Sequence, residues 1–321
     1  MPLSTDEKML KLSRDVMEAF DKEDGGVHPG FRPAHAKGVL LIGTFMPAPD
    51  AAVLTRAPHV QRASTPVTVR FSDFAGIPTV PDNDPQGASP RGFAVRFHLA
   101  PHKHTDIVAH SVDNFPSRTA EGFLEFLNAL IATDPAGPHP NAIEQFLGTH
   151  PAALAFVQAP KPIPTSFARE SFFAVSAFKF TNAQGAIRLG RYRILPIAGN
   201  EYLDDARAAA AGANFLMDEI QQRVAKNSVK FRIVVQLAEE GDLTDDATVR
   251  WPESRPQITF GELTIDAVAP NNAAEQQQII FDPIPRVDGI EASADPLFEP
   301  RANVYLMSGR RRRSAGKALG A

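Results

Sequence analysis

The spacing of apolar residues predicts helices at several points along the chain. An amphipathic leading helix is predicted over about residues 5–21, with Ser4 or Thr5 as its cap, because apolar side chains recur there at every third or fourth position. Another helix is predicted over about residues 120–132, where Thr119 supplies a start signal. Shorter helices fit the sequences NAIEQFL and PAALAFV, and the sequence YLDDARAAAAGANFLMDEIQQRVAKN is helical by composition.

Alternation of apolar and polar positions predicts strands between these helices. The sequences TPVTVRFS and GFAVRFHL alternate in this way, and NAQG is typical of a hairpin turn. A further strand places five apolar side chains on one face: Val229, Phe231, Ile233, Val235 and Leu237. Because strands and helices follow one another without regular βαβ alternation, the order favours an α+β fold in which antiparallel strands form a sheet or barrel and helices pack outside.

The composition agrees with one large globular domain. Hydrophobic residues make up 43% and charged residues 22% of the 321 residues, and no repeat or linker divides them. We therefore expect a single domain over residues 1–321, in which residues 1–27 form the leading helix and a loop and residues 314–321 form a flexible tail. The charged N-terminal sequence has no apolar signal region and no segment approaches ~20 apolar residues, which predicts a cytoplasmic protein without a membrane span.

Charge and cysteine content exclude several functions. The net charge of −4 provides no overall attraction for nucleic acid or an anionic membrane, so small partners are expected. The absence of cysteine excludes disulfides, thiolate metal sites, iron–sulfur clusters and cysteine nucleophiles. Any redox chemistry therefore needs another centre.

Two short segments offer candidates for acid–base chemistry and anion binding. In RPAHAKG, His35 lies in a loop, where it is either a hydrogen-bonded structural residue or an acid–base group that titrates near neutral pH. In VRFS, Arg70 is either an outward surface residue or an inward cation that needs an anion such as a carboxylate beside it. Ser72 of the same segment is suited to orient a histidine.

The segment ANVYLMSGRRRR contains one of only three tyrosines in the chain. In a helix, Arg301 and Tyr305 lie at positions i and i+4, so the guanidinium can hydrogen-bond the phenol oxygen and favour its phenolate. Arg312 follows seven residues after Tyr305. The alternative interpretation is an ordinary core tyrosine followed by a solvated basic tail or a weak nucleic-acid patch.

Four motifs follow one another along the chain: Arg-x-x-His-Ala-Lys-Gly, Val-Arg-Phe-Ser, PRGFAVRF and DGIEASADPLFEPRANVY. Together they resemble the catalase superfamily of haem proteins. The intervening FAVSAFKFTNAQGAIRLGRYRILPIAG and VRWPESRPQITFGELTI are similar to its smaller members, the catalase-related peroxidases. The resemblance implies the haem-binding core without the long extensions of full-length catalases. That core is an antiparallel barrel of about eight strands with flanking helices, and haem b lies buried between the barrel and the C-terminal helix.

The resemblance also implies roles for individual residues. His35 matches the distal histidine above the iron, and Ser72 matches the serine that hydrogen-bonds it. Tyr305 matches the iron ligand, a tyrosine as is already established for catalase, and Arg301 matches the arginine that keeps this ligand a phenolate. Three residues match the arginines that pair with the haem propionates: Arg32, Arg70 and Arg312.

One departure from the pattern affects the implied activity. Full catalases have glycine and paired asparagines after Asp-Ile-Val, and one of these amides orients peroxide, whereas this chain reads DIVAHSVDNFP. An ungapped alignment puts His110 there, and Asn114 would need a shift of the backbone. We therefore favour a haem-dependent peroxidase that reduces hydrogen peroxide or organic hydroperoxides with a small organic reductant, with weak or no catalase activity.

Other functions stay open on the sequence alone. True catalase activity is the first alternative, followed by a hydroperoxide-rearranging haem enzyme and a non-enzymatic haem-binding protein. A homodimer is implied by the resemblance only.

Overall fold

Antiparallel strands form the centre of the molecule, described here from a computed structural model over residues 2–318. The strands in this range are β1 (Gly38–Pro47), β2 (Thr65–Ser72), β3 (Gly92–Ala100), β4 (Lys103–His110), β5 (Phe172–Phe173), β6 (Phe178–Thr181), β7 (Ile187–Pro196), β8 (Val229–Leu237), β9 (Gln257–Val268) and β10 (Ile290–Ala292). Within the described residues they make one sheet in the order β10-β6-β7-β5-β4-β3-β2-β1-β9-β8, and pairing of β7 with β8 closes eight of them into a barrel. The expected α+β fold with an antiparallel barrel of about eight strands is confirmed.

Helices pack around the outside of this barrel. Those of the described residues are α1 (Glu7–Glu23), α2 (Ala51–Leu54), α3 (Ala120–Ile131), α4 (Ala142–Thr149), α5 (Pro151–Gln158), α6 (Asp205–Ala210), α7 (Phe215–Val224), α8 (Asn272–Gln278) and α9 (Phe298–Ala318), with short 3-10 turns at Pro58–Val60 and Phe167–Arg169. No helix among residues 2–318 combines the length and the apolar composition needed to span a bilayer.

The barrel interior is packed with phenylalanine rings. The five apolar residues that the sequence places on one face of β8 are all buried, as predicted. Fully buried rings from five strands meet there: Phe45, Phe71, Phe93, Phe97, Phe231 and Phe260. Phe71 stacks on Phe167 with ring centroids 5.1 Å apart, and Phe93 meets Phe71 edge-on at 5.5 Å. The interior is therefore a packed core, and the outer face is the surface to which the helices attach.

Most helix predictions are confirmed, and three details differ. The side chain of Thr119 caps α3 as predicted. The leading helix starts later than predicted and is capped by Asp6, whose Oδ1 accepts the N–H of Lys8 at 2.8 Å, while Ser4 Oγ accepts the N–H of Asp6. The predicted alanine-rich helix is split into α6 and α7 around Gly212. The polar sequence NNAAEQQQ, which has no apolar periodicity, contributes α8.

Helix α9 is held against α1 and α8 on the outer side of the barrel. Arg311 of α9 forms a bidentate ion pair with Asp21 of α1 at 2.5 and 2.8 Å. Arg313 Nε donates to the main-chain oxygen of Gln278 at 3.0 Å. Asn272 of α8 in turn accepts a main-chain N–H of β1. These contacts fix α8 and α9 beside the first strands of the barrel.

The predicted domain boundaries stay predictions. Helix α1 and a loop occupy the described part of residues 1–27. Residues 314–318 continue α9, and residues 319–321 lie outside the described residues. The single domain over residues 1–321 and the flexible tail over residues 314–321 are therefore neither confirmed nor contradicted.

The close approach of β9 to Gly43 of β1 leads to a stability prediction. The register of β1 against β9 shifts between Ile42 and Gly43, and a Cβ built on Gly43 would overlap the carbonyl oxygen of Thr264. We expect Gly43→Ala to lower the free energy of unfolding by about 1–3 kcal/mol, because the backbone must move. Chemical denaturation measures this difference.

The matched control for this substitution is Gly148→Ala. Gly148 lies in α4 with no neighbouring atom within 4 Å of its Cβ position, and alanine is favoured over glycine in a helix by about 0.5–1 kcal/mol. This variant should unfold at the same denaturant concentration as the wild type or a slightly higher one. A Gly43→Ala protein as stable as the Gly148→Ala protein would contradict the prediction.

Candidate active site

One row of residues crosses three neighbouring strands at one edge of the barrel, where β2 and β4 end and β3 begins. Ser72 of β2 pairs with Gly92 of β3, and Gly92 pairs with His110 of β4. Residues directly opposite one another on paired strands point to the same face, so Ser72 and His110 share the outer face of the barrel. A Cβ on Gly92 would lie 2.7 Å from His35 Nδ1 and would overlap Ser72 Oγ. Glycine at this position therefore leaves room for His35 against the sheet.

The loop before β1 brings His35 to this row. Its backbone has a φ of 59°, a left-handed conformation that is uncommon outside glycine, and its N–H donates to the oxygen of Phe74. The ring Nδ1 lies 3.0 Å from the main-chain oxygen of Asp73 and 3.2 Å from Ser72 Oγ. Since a carbonyl oxygen only accepts, Nδ1 of the neutral ring carries the hydrogen and Nε2 carries the lone pair.

Two histidines at this site have lowered pKa values. Burial lowers the pKa of His35 to about 4, and the charge of Arg70 adds to this effect. Burial likewise lowers the pKa of His110 to about 3, with further contributions from His35 and Arg301. Both residues nevertheless keep some accessible surface, so a space remains beside them even though Nε2 of His110 is itself buried. Both imidazoles are therefore neutral at neutral pH.

Helix α9 brings a tyrosine and an arginine to the same space. Arg301 Nη2 lies 3.5 Å from the Tyr305 hydroxyl, a long hydrogen bond across one helical turn, and Arg301 Nη1 lies 3.4 Å from Ser176 Oγ. Tyr305 is half-buried. The charge of Arg301 contributes to the low pKa of His110, so α9 and the end of β4 face one another.

Three arginines gather beside this space. Arg32 and Arg312 both donate to the main-chain oxygen of Ile279, at 3.2 and 2.8 Å. Arg70 Nε donates to Gln276 Oε1 at 3.0 Å. Burial lowers the pKa of Arg70 to about 9 and that of Arg312 to about 8, and the neighbouring arginines contribute in each case.

No acid within residues 2–318 forms an ion pair with this cluster, and Asp73 acts on Arg70 only through its more distant charge. The acceptors of the three guanidinium groups are main-chain oxygens, an amide and a hydroxyl. In the described part of the chain, Arg312 Nε is buried without any hydrogen-bond partner. Buried cations are normally paired with anions, and guanidinium groups bind carboxylates in bidentate fashion. The cluster is therefore suited to carboxylates that come from outside the chain.

A buried ionic network behind His35 was not found by sequence reasoning. Lys37 Nζ lies 2.5 Å from Asp82 Oδ1, and Asp82 Oδ2 accepts the N–H of Leu216 at the start of α7 at 2.7 Å. Burial and the neighbouring Asp82 carboxylate raise the pKa of Asp73. The network ties the loop that carries His35 to the long loop between β2 and β3. Lys37 stands out in the sequence because it lies in the motif RPAHAKG, but no spacing in the sequence identifies Asp82 as its partner.

The structure brings the residues singled out in the sequence to one region. They line or adjoin the space between the barrel and α9: Arg32, His35, Arg70, Ser72, Arg301, Tyr305 and Arg312. His110 faces this space as well. Asn114 lies in the turn after β4, where it is buried and its Oδ1 has no partner among the described residues.

The run of four arginines in α9 is not one solvated tail. Arg310 is exposed, whereas Arg311 is paired with Asp21. Arg312 is buried in the arginine cluster, and Arg313 donates to the main chain of α8. Each arginine of the run therefore has its own environment.

Comparisons with known proteins agree with this geometry. The family model described as Catalase matches residues 12–318. A protein named catalase-related peroxidase from Synechococcus elongatus is 34% identical over 287 residues, which cover 88% of this chain and 84% of that protein. A protein of the same name from Mycolicibacterium paratuberculosis is 35% identical over 287 residues, which cover 88% of this chain and 90% of that protein.

Solved catalases share the fold. Catalase A from Saccharomyces cerevisiae superposes with a TM-score of 0.77 at 22% identity, over 88% of this chain and 61% of that one. A bacterial catalase gives a TM-score of 0.77 at 23% identity, over 97% of this chain and 62% of that one. The chain thus spans about six tenths of the length of these solved catalases. Because the family model matches nearly the whole chain and two relatives exceed 30% identity over most of it, the chain belongs to the catalase family.

Proposed function

We propose that this chain is a haem-dependent peroxidase that reduces hydrogen peroxide or organic hydroperoxides with an external reductant. The proposal is carried by the arginine cluster, with which no acid of residues 2–318 forms an ion pair, and which lies beside a neutral histidine and a tyrosine hydrogen-bonded to an arginine. Membership of the catalase family supports it, as do two relatives named catalase-related peroxidases.

The residues present fit haem, the cofactor that the catalase family implies. Arg32, Arg70 and Arg312 would hold the two carboxylates of haem b, which supply the negative charge that the cluster needs. Tyr305 would provide the ligand to the iron, and Arg301 would donate a hydrogen bond to the oxygen of that ligand. Bound haem supplies an iron centre that peroxide oxidises and a reductant restores.

The proton chemistry of peroxide reduction falls to His35. Its Nε2 lone pair can accept the proton of a peroxide, and the same nitrogen can return that proton to the oxygen that leaves as water or an alcohol. The Nδ1–H bond to the oxygen of Asp73, together with the contact to Ser72 Oγ, fixes the orientation of the ring. The lowered pKa keeps His35 in its basic form at neutral pH.

An external reductant is favoured because His110 stands at the position where the resemblance implies an amide. Positioning a second hydrogen peroxide as the electron donor depends on that amide, whereas one-electron oxidation of a small organic reductant does not. We therefore propose weak or no catalase activity. The homodimer implied by the resemblance stays a prediction.

The need for a reductant tests this function. We expect the purified protein to show a Soret band and, on addition of hydrogen peroxide, to oxidise an aromatic reductant while releasing little oxygen. Tyr305→Phe lacks the ligand oxygen and should lose or shift the Soret band. Tyr202→Phe is the control, because that hydroxyl bonds Glu170 instead. Absorbance and oxygen-electrode records taken in parallel measure both quantities.

Two results would contradict parts of this assignment. Abundant oxygen at a rate that does not depend on reductant would identify a true catalase. The absence of a Soret band after reconstitution with haem would contradict the assignment of a haem site.

Haem affinity should depend on Arg312 but not on its neighbour Arg310. Arg312→Gln removes a buried guanidinium from the cluster, and loss of a charge-assisted hydrogen bond of roughly 1.5–3 kcal/mol predicts roughly tenfold weaker haem binding or more. Arg310→Gln removes the same charge from an exposed position of the same helix and should bind haem as the wild type does. Haem titration followed at the Soret band measures both affinities. Equal losses in the two variants would contradict the assignment of Arg312.

The pH dependence of the reaction with peroxide should reflect the low pKa of His35. A base acts only when unprotonated, and bound carboxylates would offset the arginine charges but not the burial that lowers this pKa. The stopped-flow rate should therefore stay constant as the pH falls to the ordinary histidine pKa of about 6.5 and decline only below it. His35→Gln should slow the reaction about 100-fold or more. A decline centred above the ordinary histidine value would argue against His35 as the base.

A further inference from the structure

His110 has a hydrogen-bond donor that the described part of the chain does not use. Its Nδ1 lies 3.3 Å from the backbone nitrogen of Val112. An amide N–H only donates, so a neutral His110 ring accepts at Nδ1 and carries its hydrogen on Nε2. Among the described residues, Nε2 is buried without a hydrogen-bond partner. Buried polar atoms are rarely left in this state, so an acceptor from outside the chain is the natural partner.

The backbone fixes His35 in the opposite tautomer. Its Nδ1 faces the main-chain oxygen of Asp73, which can only accept, and its lone pair is therefore on Nε2. One neutral ring thus offers a donor and the other offers an acceptor. Neither ring can exchange these roles without losing its bond to the main chain.

The two rings lie at one place on the outer face of the barrel. His110 is separated from Ser72 by one strand, and the residue between them in the row is Gly92. Gly92 has no side chain, and its Cβ position is already close to His35 Nδ1. The electrostatic effect of His35 on the pKa of His110 agrees with this proximity. A small ligand at this face would therefore meet both rings.

We propose that His110 and His35 together bind the hydroperoxide group, with His110 donating its Nε2–H to a peroxide oxygen while His35 Nε2 accepts the peroxide hydrogen. The inference rests on the proposed function and adds a second substrate-binding residue to it. His110 keeps its hydrogen throughout, so it changes neither the proton nor the electron balance of the reaction. His110 offers only this one N–H, whereas the amide implied at this position also carries an acceptor oxygen, so the pair binds the hydroperoxide that is reduced without positioning a second peroxide as electron donor.

The pairing also defines a substrate class. A single O–OH group satisfies both the donor of His110 and the acceptor of His35. Neither interaction involves the substituent that distinguishes an alkyl hydroperoxide from hydrogen peroxide. Hydrogen peroxide and alkyl hydroperoxides therefore present the same recognition element to the pair. Discrimination between them must come from the space beyond the two rings.

Fluoride binding to the haem-loaded full-length protein tests the donor without turnover, because fluoride accepts hydrogen bonds. His110→Leu removes the donor and keeps a side chain of similar bulk, whereas His110→Gln keeps an amide donor near the position of Nε2. We expect His110→Leu to bind fluoride roughly tenfold more weakly or worse. His110→Gln should stay closer to the wild type than to His110→Leu. Soret titrations measure the affinities.

Asn114→Ala is the matched control, because Asn114 is an uncharged polar side chain close to His110 in the chain, and its buried Oδ1 also lacks a hydrogen-bond partner among the described residues. It should bind fluoride as the wild type does. Unchanged affinity in His110→Leu, equal losses in the leucine and glutamine variants, or the main loss in Asn114→Ala would each overturn the inference.

Failure of the inference can be told apart from failure of the proposed function. Wild-type protein that takes up no haem would overturn the function and this inference together. Wild-type protein that binds haem and oxidises a reductant, combined with normal fluoride binding by His110→Leu, would overturn the inference alone.

Discussion

The burial of three guanidinium groups side by side is the constraint on which this site depends. Burial lowers the pKa values of Arg32, Arg70 and Arg312, and the charge of neighbouring arginines lowers them further, although arginine normally stays protonated over the whole accessible range. Main-chain oxygens and the amide of Gln276 orient these groups without neutralising them. The fold therefore holds positive charge in a place that only an anionic ligand can stabilise fully.

Two nearby guanidinium groups, Arg70 of this cluster and Arg301 of α9, add to the effect of burial in keeping the neighbouring histidines neutral. Burial alone disfavours an imidazolium, and the nearby Arg70 and Arg301 disfavour it further. The two rings then differ only in the main-chain group that each one meets, a carbonyl in one case and an N–H in the other. Burial and nearby positive charge thus keep both rings neutral. The local backbone geometry then decides which ring nitrogen carries the hydrogen.

Features that depend on neighbours along the chain could be predicted from the sequence. Contacts between residues far apart in the chain could not. The alternation in β8 and the i, i+4 pair of Arg301 and Tyr305 depend on neighbours along the chain, so spacing was sufficient to predict them. The partner of Lys37 is Asp82, which lies in a separate loop, and no period links the two. The tautomer of His110 depends on a turn whose shape no motif describes. The roles of the haem-site residues came from the resemblance, because spacing alone left each of them with a structural alternative.

The four consecutive arginines of α9 are identical in type but lie in different surroundings. Successive residues of an α-helix point about 100° apart, which is why Arg310 meets solvent, Arg311 meets α1 and Arg312 enters the cluster. Inserting or deleting one residue just before this run would leave its sequence unchanged but would rotate every guanidinium to the wrong neighbour. Replacing the exposed arginine should therefore have little consequence, whereas changing the number of residues between Tyr305 and Arg312 would move the guanidinium of Arg312 out of the cluster.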